Sequence, residues 1–235
     1  MTDPFRHHPE LRDKIKPHDT SWFRTLTTQG FSDMLAAKGL DPMPVYGEAE
    51  RETLRHQALA AHTGDLYIFA YGSLMWDPAL DFSEVRTAHA PGHERRFILV
   101  DRYGGRGTRA APGLMAALDV GAGCDGLAFR IPANRVIEET RILFQREMIS
   151  PGYHARFIPV VIAGEPAQAL TFLADHDSDL MEAEISFDDQ VRYVATGVGV
   201  LGTSHDYLRT TLHQLEQFGI DDPPARAILN AANTM

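Results

Sequence analysis

Short apolar runs in the middle of the chain predict a series of β-strands. Residues 66–70 are rich in aromatic and β-branched types, which is typical of a buried strand. Few helical patterns separate the runs, which favours an α+β fold: a mixed, partly closed sheet or small barrel with helices packed outside. The further predicted strands are 95–101, 114–120, 125–131, 155–163 and 168–174.

Helical patterns flank the strands and interrupt them once. Residues 22–38 and 48–62 predict two helices that stop at Gly39 and Gly64, because glycine commonly follows a helix end. Residues 134–149 predict a third helix, and further helices are expected from residue 186 to the end of the chain.

The pattern divides the chain into three parts. Residues 1–65 form an N-terminal arm and helical extension, of which 1–18 are expected to be a loose, solvated arm. Residues 66–222 form the main domain, and residues 223–235 a C-terminal tail. The extension carries no recognisable chemistry, so we expect it to pack against the main domain or to mediate self-association.

One carboxylate breaks the helical pattern of residues 134–149. Viewed down the axis, Glu147 lies inside the apolar arc beside Phe144, whereas Arg146 falls on the polar side. Burial raises the pKa of a carboxyl group and suits it to exchange protons near neutral pH. Glu147 is therefore a candidate general acid/base. The alternative is that it simply pairs with Arg146, Arg156 or solvent near the helix end.

A second candidate site follows the first predicted strand. There the chain turns abruptly at Gly72-Ser73, and Asp77-Pro78 closes the segment. Glycine lets backbone approach a ligand closely, successive N–H groups can hold a carboxylate, and Ser73 adds a hydroxyl. Most turns of this kind are only turns, so the motif alone does not establish a site.

Two further motifs favour structural roles. Residues 197–202 match the GxGxxG pattern of dinucleotide sites, but Ser186 begins a capping box, so the preceding element is predicted to be a helix rather than the required strand. We therefore reject a nucleotide site there. Residues 175–179 hold one histidine and three aspartates, but their spacing fits neither a zinc site nor an EF-hand, which favours a polar surface loop.

Composition narrows the class of function. The 235 residues are 44% hydrophobic, which suits a globular protein, and the formal net charge of −10 argues against nucleic acid or an anionic membrane as main partner. Cys124 is the sole cysteine, so no intrachain disulfide can form. We expect it to be a small, half-buried residue. No membrane span or signal peptide is recognisable, and a cytoplasmic location is expected.

Several segments, taken in order, resemble one family. These are residues 71–76 (Tyr-Gly-Ser-Leu-Met-Trp), 95–97, 106–108, 112–113, 126–131, 146–147 with 152–153, and 199–202 with 207–208. Together they are similar to the ChaC family of γ-glutamylcyclotransferases, and most similar to its longer bacterial members.

The resemblance implies a small mixed β-barrel with flanking helices, and a reaction that needs no metal or organic cofactor. In that reaction the α-amine of glutathione attacks its own γ-carbonyl, which forms 5-oxoproline and releases cysteinylglycine. It implies that Glu147 is the general acid/base. Tyr71, Gly72, Ser73, Leu74 and Met75 would hold the γ-glutamyl group, and Arg106 and Tyr207 are hypothesised to line the same pocket.

The chain departs from the family pattern at Ala70, Gly105, Ser204 and residues 177–181. These departures leave the preference among γ-glutamyl compounds open. Two alternatives therefore remain: a cyclotransferase for other γ-glutamyl peptides or amines, and a non-catalytic γ-glutamyl-binding or regulatory protein. The oligomeric state is not predicted.

Overall fold

Five strands close into a barrel in the computed structural model, which describes residues 3–40 and 42–235. The sheet is mixed, because β1 runs parallel to β5 whereas the other neighbouring pairs in the order β1-β3-β2-β4-β5 are antiparallel. The predicted fold class is therefore confirmed. The strands are β1 (Leu66–Ala70), β2 (Glu84–Tyr103), β3 (Thr108–Ile131), β4 (Tyr153–Ile162) and β5 (Glu165–Ala174).

Two strands are longer than the sequence pattern predicts. β2 begins at Glu84 rather than at residue 95, and β3 joins the predicted strands 114–120 and 125–131 into one. The glycines between them do not break β3. A Cβ on Gly121 would lie 2.1 Å from the Glu94 side chain, so the glycine leaves room for a side chain of β2 to lie across the strand.

Six α-helices surround the barrel within residues 3–40 and 42–235, and the predicted helical regions are confirmed with shorter bounds. Thr27 caps α1 by accepting the N–H of Gly30 at 2.9 Å, so the first turn of the predicted helix 22–38 is a separate 3-10 turn. The helices are α1 (Thr28–Ala37), α2 (Glu48–Leu59), α3 (Val136–Glu147), α4 (Phe187–Thr196), α5 (Ser204–Gln217) and α6 (Pro223–Ala232). Short 3-10 turns lie at Pro9–Leu11, His18–Thr20, Trp22–Arg24, Ser73–Met75 and Ala133–Arg135.

Residues 11–16 and 223–232 are packed against the rest of the protein, which corrects two expectations. Leu11 and Ile15 are buried in the main core, and the N–H of Lys16 donates to the carbonyl of Trp76 at 2.8 Å, so this part of the predicted loose arm is fixed on the barrel. The predicted C-terminal tail contains α6, whose Ala225 and Ile228 are buried against α4 and α5. Apolar side chains spaced three residues apart on α6 provide the packing face.

The N-terminal extension is held on α3 by a buried ion pair. Both terminal nitrogens of Arg24 donate to the carboxylate of Glu139, at 2.9 and 3.0 Å, and Glu139 is completely buried. The same carboxylate accepts the N–H of Asp81 at 3.0 Å. This two-pronged contact fixes the Trp22–Arg24 turn on the N-terminal half of α3.

The glycines of residues 197–202 bring two backbone segments together. They frame a two-stranded ribbon, β6 (Val198–Gly199) and β7 (Gly202–Thr203). The N–H groups of Val200 and Leu201 donate to the carbonyls of Gly104 and Gly105, each at 2.8 Å. A Cβ on Gly199 would lie 2.3 Å from both carbonyl oxygens. Since a helix, α4, precedes the motif, the rejection of a nucleotide site agrees with the structure.

No helix in the part of the chain that the structure describes is long and apolar enough to cross a membrane.

The role of Gly199 can be tested by adding one carbon. We expect Gly199→Ala to lower the free energy of unfolding by about 1–3 kcal/mol, because backbone atoms must move apart. Gly47→Ala is the matched control, since a Cβ there meets nothing within 4 Å. Urea unfolding measures both variants. Equal stability of the two would show that the close backbone approach at Gly199 does not limit this position.

Candidate active site

A cavity of about 470 Å³ opens where the turn after β1, the end of α3 and the start of α5 meet. Its size lies in the range of small-molecule sites. Eight residues were predicted from the sequence to form the substrate site, and seven of them line this cavity. They are Tyr71, Gly72, Ser73, Leu74, Arg106, Glu147 and Tyr207.

The eighth, Met75, is corrected by the structure. Its side chain is completely buried in the main core and does not line the cavity. The Ser73–Met75 segment is a 3-10 turn, in which successive side chains point in directions about 120° apart. Ser73 and Leu74 therefore face the cavity while Met75 faces the barrel.

Arg146 organises the cavity wall, although the helical pattern placed it on the polar face of α3. Its side chain is only 3% exposed. Nε lies 2.8 Å from Oε1 of Glu147, one terminal nitrogen donates to the Ser73 hydroxyl at 2.9 Å, and the other donates to the carbonyl of Asp77. The Phe23 ring lies 4.0 Å from the guanidinium carbon. These partners come from distant segments, which a helical projection does not show.

Glu147 is the carboxylate that faces the cavity. Its side chain is 16% exposed, and it ends α3. Burial raises the pKa of Glu147, and the neighbouring Arg146 opposes this rise. Its place at the negative end of a helix dipole also disfavours the charged form. Glu147 is thus both desolvated and accessible, which suits a group that exchanges protons with a bound molecule.

Three tyrosines surround this carboxylate. Burial and the charge of Glu147 raise the pKa of Tyr71 and Tyr153, and burial raises that of Tyr207, so all three remain protonated at neutral pH. Tyr71 donates to the carbonyl of Phe172 at 3.2 Å. The Tyr207 oxygen instead accepts the N–H of Ala116 at 3.3 Å. Among the described residues this hydroxyl makes no other hydrogen bond, so its proton can point at a ligand.

Arg106 supplies a second buried cation. One terminal nitrogen donates to the carbonyl of Leu201 at 2.7 Å, and the guanidinium carbon lies 4.8 Å from the Tyr207 ring centroid. Within residues 3–40 and 42–235 it forms no ion pair with a carboxylate side chain. Burial lowers the pKa of Arg106, but an arginine stays charged in proteins. The cavity can therefore neutralise an anionic group of a ligand.

Asp101, which the sequence did not single out, shapes the loop that carries Arg106. Its Oδ1 accepts the N–H of Tyr103 at 2.8 Å, and its Oδ2 accepts the N–H groups of Arg106 and Gly107. An aspartate before a glycine-rich turn is a recognisable turn signal that could have identified it.

Ser204, one of the departures from the family pattern, has a defined structural task. Its hydroxyl accepts the N–H of Leu114 at 2.7 Å and donates to the carbonyl of the same residue at 2.8 Å. This pair of bonds joins the first turn of α5 to β3. It thereby fixes the position of Tyr207, which lies one helical turn further on.

The structure adds lining residues that the sequence did not identify as site residues. Phe23 comes from the N-terminal extension, to which no chemistry was assigned. Asp77 lies near Arg146, and its Oδ1 is buried without a hydrogen-bond partner in the described part of the chain. The others include Trp76, Met115, Ala116, Tyr153, Leu201 and Asp206.

The remaining sequence candidates lie elsewhere. Cys124 is buried rather than half-buried, and burial raises its thiol pKa to about 11. The predicted polar loop 175–179 sends its side chains to separate partners: His176 to Asp119 at 2.9 Å, and Asp179 to the Tyr103 hydroxyl at 2.6 Å. Over the described residues, no group of three or more His, Cys, Asp or Glu side chains is arranged to hold a metal ion.

The barrel and this cavity define a protein that can hold a small molecule beside a desolvated carboxylate. Comparison with known proteins identifies the class further. The family model described as ChaC-like protein matches residues 66–233, and the chain belongs to this family.

Relatives agree with this assignment, and a solved structure agrees with the fold. The chain is 34% identical to the glutathione-specific γ-glutamylcyclotransferase of Escherichia coli over 160 residues, which are 68% of this chain and 69% of that protein. It is 29% identical to glutathione-specific γ-glutamylcyclotransferase 1 of Danio rerio over 163 residues, which cover 66% of this chain and 81% of that protein. The crystal structure of a γ-glutamyl cyclotransferase specific to glutathione from yeast has a TM-score of 0.66 at 19% identity, covering 73% of this chain and 97% of that one, which supports the fold.

The raised pKa of Glu147 predicts a sign for the pH dependence of stability. Consider a carboxyl group whose pKa is higher in the folded than in the unfolded chain. It stabilises the folded state less as pH rises above its pKa in the unfolded chain, here 4.5. We therefore expect the free energy of unfolding of the wild type, minus that of Glu147→Gln, to decrease as pH rises from 4.5 towards neutral. Denaturant unfolding at several pH values measures this difference. An increase instead would show that Arg146 outweighs burial.

Proposed function

We propose that this protein is a γ-glutamylcyclotransferase that converts glutathione to 5-oxoproline and cysteinylglycine. The observation that carries the proposal is Glu147, a desolvated but accessible carboxylate on the cavity wall. The same wall holds Arg106, which forms no ion pair with a carboxylate among the described residues. Family membership and the names of the Escherichia coli and Danio rerio relatives support the reaction and the substrate.

The reaction requires protons to move from the attacking nitrogen to the departing nitrogen, and Glu147 is the proposed carrier. The α-amine of the substrate is mainly an ammonium group at neutral pH, so it must lose a proton before it can attack. The amine nitrogen then forms a bond to the γ-carbonyl carbon, and the bond from that carbon to the cysteine nitrogen breaks. The departing nitrogen takes this proton from Glu147 and leaves as an amine. The attacking nitrogen loses a second proton as it becomes the lactam nitrogen, and the released amine gains one to become an ammonium group, so the protons balance. A positioned acid/base typically contributes about 10²–10⁴-fold to such a step.

Arg106 is the proposed partner of the substrate's α-carboxylate. It is a buried cation in the cavity wall, held by backbone carbonyls and the Tyr207 ring rather than by a carboxylate. The guanidinium of Arg106 lines the cavity, so it can form a charge-assisted hydrogen bond with a carboxylate bound there. The backbone N–H groups of the turn at Gly72 and Ser73 would bind the γ-carbonyl end of the same γ-glutamyl group.

Tyr207 is the proposed donor to the oxyanion that forms at the γ-carbonyl. Its oxygen accepts from a backbone N–H, which leaves its proton available, and burial keeps the group protonated. A fixed donor in a water-poor site stabilises developing charge more strongly than water does. Because ring closure is intramolecular, the remaining task of the cavity is to hold the substrate folded for attack.

Two alternative functions remain, and an assay of 5-oxoproline formation from glutathione distinguishes them from the proposed one. The same site could act on other γ-glutamyl peptides or amines, since the chemistry lies in the γ-glutamyl half. A non-catalytic binder would have no need of an accessible carboxylate with a raised pKa, so Glu147 favours an enzyme. Action on glutathione agrees with the expected cytoplasmic location, since the cytoplasm holds a glutathione pool.

Replacement of Glu147 tests the mechanism directly. Glu147→Gln keeps the shape and the hydrogen bond to Arg146 but cannot exchange the proton, so we expect 5-oxoproline formation from glutathione to fall by about 10²–10⁴-fold. Glu138→Gln is the matched control, because Glu138 is an exposed carboxylate on the same helix. Its rate should equal that of the wild type. An unchanged rate in folded Glu147→Gln would rule out Glu147 as the proton carrier.

Gly72 tests the proposed approach of the γ-glutamyl group. An added Cβ there has only the Tyr207 hydroxyl nearby, at 4.0 Å, so a side chain would extend into the cavity without disturbing the fold. We expect kcat/KM for glutathione to fall from wild type to Gly72→Ala and further to Gly72→Val, with circular dichroism and melting temperature little changed. Full activity of Gly72→Val would remove this turn from the substrate site.

A further inference from the structure

A second cavity, of about 180 Å³, shares a wall with the first. Six residues line both: Phe23, Met115, Arg146, Glu147, Tyr153 and Leu201. Glu147 therefore lies at the boundary between the two spaces. The larger space is the one that the γ-glutamyl group is proposed to occupy, and the smaller one has no task in that proposal.

The smaller cavity is lined mainly by apolar side chains, and the N-terminal extension forms part of its wall. Trp22, Leu26 and Met43 line it from the extension, while Leu99 and Leu180 line it from the main domain. Besides Glu147, its carboxylate is Asp101, whose oxygens already accept backbone N–H groups. A charged group would be poorly solvated there, whereas a small apolar or thiol side chain would be favoured.

The proposed reaction fixes what lies next to Glu147. To return the proton, Glu147 must be within hydrogen-bond distance of the departing nitrogen. The side chain of the residue that contains this nitrogen begins only two bonds away, at its Cβ. With the γ-glutamyl group in the larger cavity and the departing nitrogen at Glu147, this side chain adjoins the smaller cavity.

We infer that the smaller cavity binds the side chain of the residue that leaves with the departing nitrogen. It takes small apolar or thiol side chains, and the N-terminal extension sets this preference through Trp22 and Leu26. In glutathione the side chain is that of cysteine. This inference rests on the proposed cyclotransferase function.

A series of substrates tests the inference on the unaltered protein. The compounds are γ-glutamyl tripeptides that end in glycine and carry glycine, alanine or 2-aminobutyrate in the middle, with glutathione for comparison. Each added carbon in an apolar pocket is worth about tenfold or more in kcat/KM. We therefore expect kcat/KM to rise from glycine to alanine to 2-aminobutyrate. Equal values along the series would overturn the inference and leave the proposed function intact. No turnover of any compound would overturn the proposed function itself.

Trp22→Ala tests the part played by the extension. Trp22 is 41% exposed and lines only the smaller of the two cavities, so its removal should leave the fold intact and open that space. In the wild type, kcat/KM should be higher for the 2-aminobutyrate compound than for the glycine compound. We expect Trp22→Ala to lower the ratio of these two values by about tenfold, which is the discrimination that one well-packed carbon provides. An unchanged ratio would show that the extension does not set the preference.

Two further variants complete the test. Phe187→Ala is the matched control, since Phe187 is an aromatic residue 49% exposed on α4 and lines neither cavity. Its ratio should equal that of the wild type. Leu180→Phe places a larger side chain in the smaller cavity and reduces the space there, so the series should reverse and the glycine compound should become the better substrate. If folded Leu180→Phe protein showed the same order of kcat/KM values as the wild type, the inference would be contradicted.

Discussion

The guanidinium of Arg146 is the group on which the site depends. It is almost completely buried and bonds at once to Glu147, to the Ser73 hydroxyl and to the carbonyl of Asp77, with Phe23 packed against its face. A buried cation that loses a partner is costly, because the remaining charge stays desolvated. The requirement to satisfy Arg146 therefore holds the end of α3, the turn after β1 and the N-terminal extension in one arrangement.

This requirement explains why residues far from the main domain in sequence belong to the site. The family match begins at residue 66, yet Phe23 forms part of the cavity wall and Arg24 anchors its segment on the buried carboxylate of Glu139. Leu35 and Leu40 also pack where a Cβ on Gly104 would lie, so the extension covers the loop that carries Arg106. The extension is thus structural support for both arginines of the cavity.

The sequence could predict those parts of the fold and site that depend on local pattern. Strand and helix regions, the glycine turn at residue 72 and the carboxylate at Glu147 all follow from periodicity or from turn residues close in sequence. Arg146 could not be placed in this way, because its partners come from three separate segments. Glu139 was missed for the same reason: its cation, Arg24, lies 115 residues away. The continuity of β3 was missed because its glycines serve cross-strand packing rather than a turn.

The electrostatic balance at Glu147 links stability to the proposed chemistry. Burial raises the pKa of this carboxyl group, and Arg146 opposes the rise without cancelling it. A bound ammonium would add a second opposing charge and favour the carboxylate just when it must accept a proton. Once the proton has moved to Glu147, the ammonium charge is gone. Desolvation by the bound substrate then favours the neutral form of Glu147 until the departing nitrogen takes the proton. The same carboxyl group can then act as base and acid in turn because the substrate itself changes the local charge.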